Sequence, residues 1–93
     1  MKILDAPSNS NWLTAIIDGL YCQAKIFTEP STFGINDGHV SKLSVCSGQS
    51  WDHTKVIINY DRGWDVGENR PELDSIVGQL EAYAQNELRD LLL

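Results

Sequence analysis

Trp12-Leu13-Thr14-Ala15-Ile16-Ile17-Asp18-Gly19-Leu20-Tyr21-Cys22-Gln23-Ala24-Lys25-Ile26-Phe27 decides the fold class. Two runs rich in aliphatic and aromatic residues flank a single Asp-Gly pair. Both positions of a two-residue type I′ turn need positive φ, which Asp tolerates and Gly adopts freely, so the pair predicts a tight hairpin. The register follows from the turn. Pairing Ile17 with Leu20 sets Ala15 opposite Cys22 and Leu13 opposite Ala24, all apolar and on one face. The other face carries Trp12 opposite Lys25, Thr14 opposite Gln23 and Ile16 opposite Tyr21. One apolar face and one mixed face are what a sheet covered on one side requires.

Outward from the hairpin, residues 1–11 read as a short lead with a turn at Ser8-Asn9-Ser10-Asn11. Residues 28–38 form a loop rich in Pro, Ser, Gly, Asn and Asp, longer than a hairpin needs, in which Phe33 and Ile35 are expected to tuck back onto the domain. Residues 40–46 predict a strand with Leu43 and Val45 inward and Lys42 and Ser44 outward. A second loop leads to a strand over residues 55–60, whose Val56-Ile57-Ile58 run suits a central position. Leu73, Val77, Leu80, Ala84, Leu88 and Leu91 then recur at three and four, with Ile76 and Tyr83 widening the stripe, and predict a helix over about 70–91. Asn69 stands as its N-cap with capping-box spacing to Glu72, and Pro71 fits the first turn. Gly78 suggests close packing of this helix on the sheet.

The expected fold is therefore α+β: a four-stranded antiparallel β-meander (strands about 12–17, 20–27, 40–46 and 55–60) with one C-terminal α-helix packed on one face. Its core is expected to hold Leu13, Ala15, Ile17, Leu20, Cys22, Ala24, Ile26, Leu43 and Val45, with Val56, Ile58, Leu73, Val77, Leu80 and Leu88 closing it. Ninety-three residues make one domain, 1–93. A chain of this size buries roughly 60–65% of its unfolded surface, so modest stability is expected. With 42% hydrophobic and 22% charged residues the composition is that of a globular protein. No apolar run reaches the ~20 residues of a membrane span and no apolar leader opens the chain, which points to the cytoplasm. Cys22 and Cys46 fit reduced, buried small hydrophobes.

Charge excludes more than it assigns. The net charge is −6, and residues 72–93 hold Glu72, Asp74, Glu81, Glu87 and Asp90 against Arg89 alone, so that segment carries −4 of it. Direct binding to DNA or RNA is disfavoured, because such interfaces cluster Lys and Arg. The acidic helix face suits a protein partner with a basic surface.

Catalytic chemistry finds little support. Asp37, His39, Cys46, Asp52 and His53 lack the spacing of a metal site or a Cys-His pair. No phosphate loop occurs. Asp61 and Asp65 have no nucleophile beside them. The chain reads as non-enzymatic, with no cofactor and no metal. The densest chemistry lies in Asn59-Tyr60-Asp61-Arg62-Gly63-Trp64-Asp65. Two readings of it stand side by side. In one it is a structural corner, with Arg62 tied to Asp61, Asp65 or Asp37 and stacked on Trp64 or Tyr60, Gly63 supplying a left-handed turn and Trp64 covering the sheet edge. In the other, Tyr60, Asp61, Arg62, Trp64 and Asp65 face a partner. Trp12, Tyr21, Lys25 and Phe27 make a second candidate surface on the outer sheet face, and Phe33 of the long loop joins it.

Three blocks carry a family resemblance: Gln23-Ala24-Lys25-Ile26-Phe27 with Glu29-Pro30-Ser31, then Phe33-Gly34-Ile35-Asn36-Asp37-Gly38-His39-Val40-Ser41-Lys42-Leu43, then Asn59 to Asp65. Over residues 12–65 the chain resembles a family of short uncharacterised proteins of bacteria, prophages and phages, a domain of unknown function. His39 stands where that family usually has a basic residue. The resemblance implies a mobile-element context, with the host cytoplasm as location if phage-encoded, and no catalytic residues. Together with small size and acidity it leads to the expectation of a non-enzymatic protein-binding module of phage or prophage type. Its sharpest form is an inhibitor of a bacterial defence complex, in the style of the anti-CRISPR proteins, whose acidic surface occupies a nucleic-acid-binding groove. The alternatives are a small-ligand or nucleotide-binding protein using loop 28–39 and Arg62, and a structural protein that self-associates, a dimer being the simplest case, through the mixed sheet face.

Overall fold

The hairpin forms in the register its side chains dictate: Ile17 pairs with Leu20, Ala15 with Cys22 and Leu13 with Ala24. Asp18 and Gly19 both take positive φ, at 52° and 80°, as the tight turn demands. The computed structural model describes residues 1–8 and 10–88. Around the hairpin it builds one antiparallel sheet, in chain order, from β1 (Lys2–Asp5), β2 (Trp12–Ile17), β3 (Leu20–Ile26), β4 (Val40–Cys46), β5 (Val56–Asp61) and β6 (Trp64–Val66). Helix α1 (Leu73–Tyr83) follows, extended by a π-helical turn over Ala84–Leu88.

The sheet thus has six strands, where the sequence led us to expect four. Both additions are edge strands. In β1, Ile3 pairs with Ala15 and Asp5 with Thr14, with a bulge between them, and all four residues of β1 itself, Lys2–Asp5, are exposed. No apolar alternation marks such a strand, because neither face is covered. At the other edge, Asn59 to Asp65 is not a corner leading to the helix. It turns back as a hairpin in which Tyr60 pairs with Trp64 and Asn59 with Val66.

Helix α1 also begins later than residue 70, and Asn69 does not cap it. The Arg70 N–H donates to the Gly67 carbonyl and the Leu73 N–H to the Arg70 carbonyl, so tight turns occupy the approach. Gly67 explains them. It has φ 93° and lies so close to β5 that a β-carbon there would strike the Ile57 carbonyl. Residues 67–72 carry the chain from the sheet edge onto its inner face before α1 can start. Glu72 takes the cap position without a side-chain capping bond, its carboxylate gripped instead by Arg70 at 2.8 and 3.2 Å. Gly78 is exposed, and a β-carbon there would meet nothing within 4 Å, so it marks no close packing. Arg89, Asp90 and Leu91, expected to finish the helix, lie outside the described residues, as does Asn9 of the expected turn.

The apolar helix stripe covers the inner face of the sheet. Leu73, Ile76, Val77, Leu80, Tyr83, Ala84 and Leu88 bury themselves on Leu13, Ala15, Ile17, Cys22, Ala24, Ile26, Leu43, Val45 and Ile58. Two expected core residues, Leu20 and Val56, are only half-buried, whereas Ile35, Val40 and Tyr60 join the core. At its N-terminal half α1 is fastened to the hairpin tip: Ser75 Oγ donates to Asp18 at 2.6 Å and Gln79 Nε2 at 2.9 Å. Both cysteines are buried and free, and burial pushes the Cys22 thiol up to about 12.

A basic and aromatic cleft

The outer face of the sheet has no helix over it, and its residues line up in rows across the strands. One row runs Trp12, Lys25, Lys42, Asp61, because Trp12 pairs with Lys25, Lys25 with Lys42 and Lys42 with Asp61. The next is a polar ladder, in which Ser44 Oγ donates to Asn59 at 2.8 Å and Asn59 Nδ2 to Asp65 at 3.1 Å. Two lysines directly opposite on one face repel each other, and such a pair works against the sheet. Asp61 offsets part of this, with Lys42 Nζ at 3.5 Å. These side chains are too exposed for the pair to be worth more than about 1 kcal/mol.

Arg62 adds a third cation. It was expected to tie a corner together while Gly63 supplied the left-handed turn, but the roles are otherwise. Arg62 itself takes φ 57°, its N–H donating to the Ser41 carbonyl at 3.0 Å. Gly63 has no positive φ and open space around it. The left-handed conformation disfavours a residue with a β-carbon by roughly 1–2 kcal/mol. The guanidinium is 65% exposed and meets Asp61 at 3.7 Å. It is not seen stacked on Trp64 or Tyr60.

The loop over residues 28–39 closes the third side. Ile35 plugs into the core at 2% exposure. The Ser31 N–H donates to the Gly38 carbonyl, and a β-carbon on Gly34 would collide with that same carbonyl, so the loop folds tightly on itself. Tyr60 Oη donates to the Phe33 carbonyl at 2.7 Å. At the far end Glu81 accepts from the His39 N–H and meets His39 Nδ1, each at 2.7 Å. The expectation that Phe33 tucks back fails: its ring is 62% exposed. The loop is held by its backbone and by Ile35, and Phe33 stands out from it.

Between loop and sheet lies a cleft of about 590 Å³ lined by Lys25, Lys42 and Arg62, by Phe27 and Phe33, and by Ser41. Lys25 Nζ lies 5.6 Å from the centre of the Phe27 ring. Three of the seven basic residues of an acidic chain meet here.

The other expected site residues scatter. Tyr60 is buried, with its ring edge-on to Trp64 at 5.0 Å, and Trp64 packs against the core, so both act as structure. Asp65 belongs to the polar ladder. Tyr21 is half-buried, its hydroxyl accepting from Gln23 at 3.0 Å. Trp12 is 42% exposed and stands at the end of the cationic row. The acidic face is broken up: Arg70 takes Glu72 and holds its carboxyl below the usual range, and His39 takes Glu81. Asp74 and Glu87 remain exposed, and Asp90 lies outside the described residues. Lys42 and Ser41 were not among the expected site residues. Lys42 was legible as outward-facing, but only the β3–β4 register puts it against Lys25. Among the described residues no three His, Cys, Asp or Glu side chains converge as a metal site would need.

No curated protein and no solved structure matches the chain. A family model covers residues 11–85, from β2 through α1, further than the blocks in which the resemblance was read. By that match the chain belongs to the family described as a domain of unknown function, DUF7678.

Proposed function

We propose that this chain is a ligand-binding protein whose cleft takes a small anionic ligand. The observation that carries the reading is the juxtaposition of Lys25 and Lys42 across β3 and β4 with Arg62 at the same opening. Facing lysines and a left-handed arginine both oppose stability, and strained or repelling groups concentrate where a ligand repays them. The volume falls within the range of small-molecule sites, roughly 300–1,000 Å³. A melting-temperature screen against inorganic phosphate, sugar phosphates, nucleotides and dicarboxylates at low ionic strength tests it. Stabilisation should grow with the logarithm of ligand concentration and vanish in Lys42→Gln. A flat response to every anion would dispose of the reading.

A second reading, a protein-binding module of phage or prophage type acting in a host cytoplasm, is favoured by the exposed Trp12, Phe27 and Phe33 beside these cations. Aromatic residues and arginine are the usual anchors of protein interfaces. In its defence-inhibitor form it requires a continuous acidic surface, and Glu72 and Glu81 are already engaged within the chain. A partner retained by the wild type and equally by a Trp12→Ala, Phe33→Ala double variant would count against this face as the interface.

A further inference from the structure

We infer that the ligand of the cleft is a nucleoside phosphate, with its phosphate on Lys25, Lys42 and Arg62 and its base against Phe33. The inference rests on the anion reading above and deepens it. Its independent support is the way Phe33 is displayed. A loose loop would let a phenyl ring fold back onto apolar surface. This loop is not loose, because Ile35 is buried, Tyr60 fixes the Phe33 carbonyl, and Glu81 fixes His39 at the loop end. A rigid backbone therefore presents a ring that is 62% exposed at the mouth of a cleft whose other aromatic, Phe27, is 39% exposed. Exposed flat rings beside cations are what a ligand with a charged end and a flat, π-bearing end requires.

Charge narrows the class further. The cleft sets three cations against two carboxylates, Glu29 at the rim and Asp61 beside Lys42 and Arg62, and the cationic excess that remains suits a single phosphate group. The chain as a whole carries −6, which repels a polyanion. A single nucleotide fits this balance, whereas a strand of nucleic acid does not. A sugar phosphate or a dicarboxylate would leave Phe33 without a partner.

Calorimetric titration of the full chain at low ionic strength tests the assignment, using the four nucleoside 5′-monophosphates, ribose 5-phosphate, adenosine and inorganic phosphate. At least one nucleotide should bind on the order of tenfold more tightly than ribose 5-phosphate, the contribution of one stacked base. Phe33→Ala, at a position 62% exposed, should leave melting unchanged, remove that advantage and leave ribose 5-phosphate binding intact. Arg62→Gln should weaken nucleotide and ribose 5-phosphate alike. If ribose 5-phosphate binds as well as every nucleotide and Phe33→Ala changes nothing, the nucleotide assignment falls while the anion cleft stands. If none of the phosphorylated compounds binds, both fall. A single-stranded oligonucleotide that binds far more tightly than the mononucleotide at equal phosphate concentration would overturn the single-nucleotide class in favour of a polyanion.

Discussion

Arg62 and Asp18 both hold left-handed backbone conformations, and they do so for opposite reasons. Asp18 sits in a turn that asks for positive φ, and its carboxylate is rewarded by Ser75 and Gln79. Arg62 has Gly63 beside it, which would adopt the conformation freely, and its side chain meets Asp61 in a long, exposed ion pair. Arg62→Gly should therefore raise stability by about 1 kcal/mol, or several degrees in melting temperature, while weakening anion binding. Arg62→Ala, which keeps the β-carbon, should leave melting nearly unchanged. A clear drop in melting for Arg62→Ala would restore the guanidinium as a structural tie. For Asp18 the hydrogen bonds from Ser75, then Gln79, lower the carboxyl below its ordinary 3.8. A carboxyl depressed by folding stabilises the fold above its unfolded pKa, and that contribution is lost as pH falls through the folded value. Acid melting curves from pH 5 to 2 should then fall less steeply for Asp18→Asn than for the wild type, since Asn keeps the turn and does not titrate. Identical slopes would show that the helix–hairpin tie is not linked to this proton.

At the scale of elements, legibility followed burial. Strands covered on one face announced themselves by alternation, and the Asp-Gly turn set the β2–β3 register to the residue. Edge strands β1 and β6 have little buried surface to impose a pattern, so Lys2–Asp5 looked like a lead and Trp64–Val66 like a corner. The helix stripe was plain from Leu73 onward, yet its start was misplaced. Asn69-x-x-Glu72 satisfies a local capping rule, while the placement of Gly67 against β5 is a long-range constraint with no local signature. Gly78 was misread for a related reason: a mid-helix glycine means close packing only if something lies above it, and here nothing does. That makes it a simple stability test. Gly78→Ala should stabilise by about 0.5–1 kcal/mol through helix propensity alone, raising the melting temperature by a few degrees. An unchanged or lower melting temperature would mean that the exposed face of α1 is not free.

Across the whole molecule, three of the seven basic residues gather at one opening, and Lys25 and Lys42 join loop 28–39 and Arg62 there only in the folded sheet. From the sequence, −6 spoke against direct binding to DNA or RNA, because a sum hides where its parts lie. Lys25, Lys42 and Arg62 are separated by up to 37 positions and share one opening only because β3, β4 and the β5–β6 hairpin are neighbours. Ionic strength should expose this arrangement as two opposite trends. At about 10 mM salt the screening length is roughly 30 Å, and at 150 mM roughly 8 Å. The first is comparable to the molecule's 35 × 27 × 20 Å extents, so at low salt the excess carboxylates repel one another across the entire fold. Added salt should therefore raise the melting temperature of the unliganded protein as that repulsion is screened. The same salt weakens the attraction of three clustered cations for an anion, so the extra stabilisation given by a bound phosphate compound should shrink over the same range. A melting series with and without ligand reads both trends in one experiment. If the two curves rise in parallel, the ligand is held by something other than the charges of the cleft.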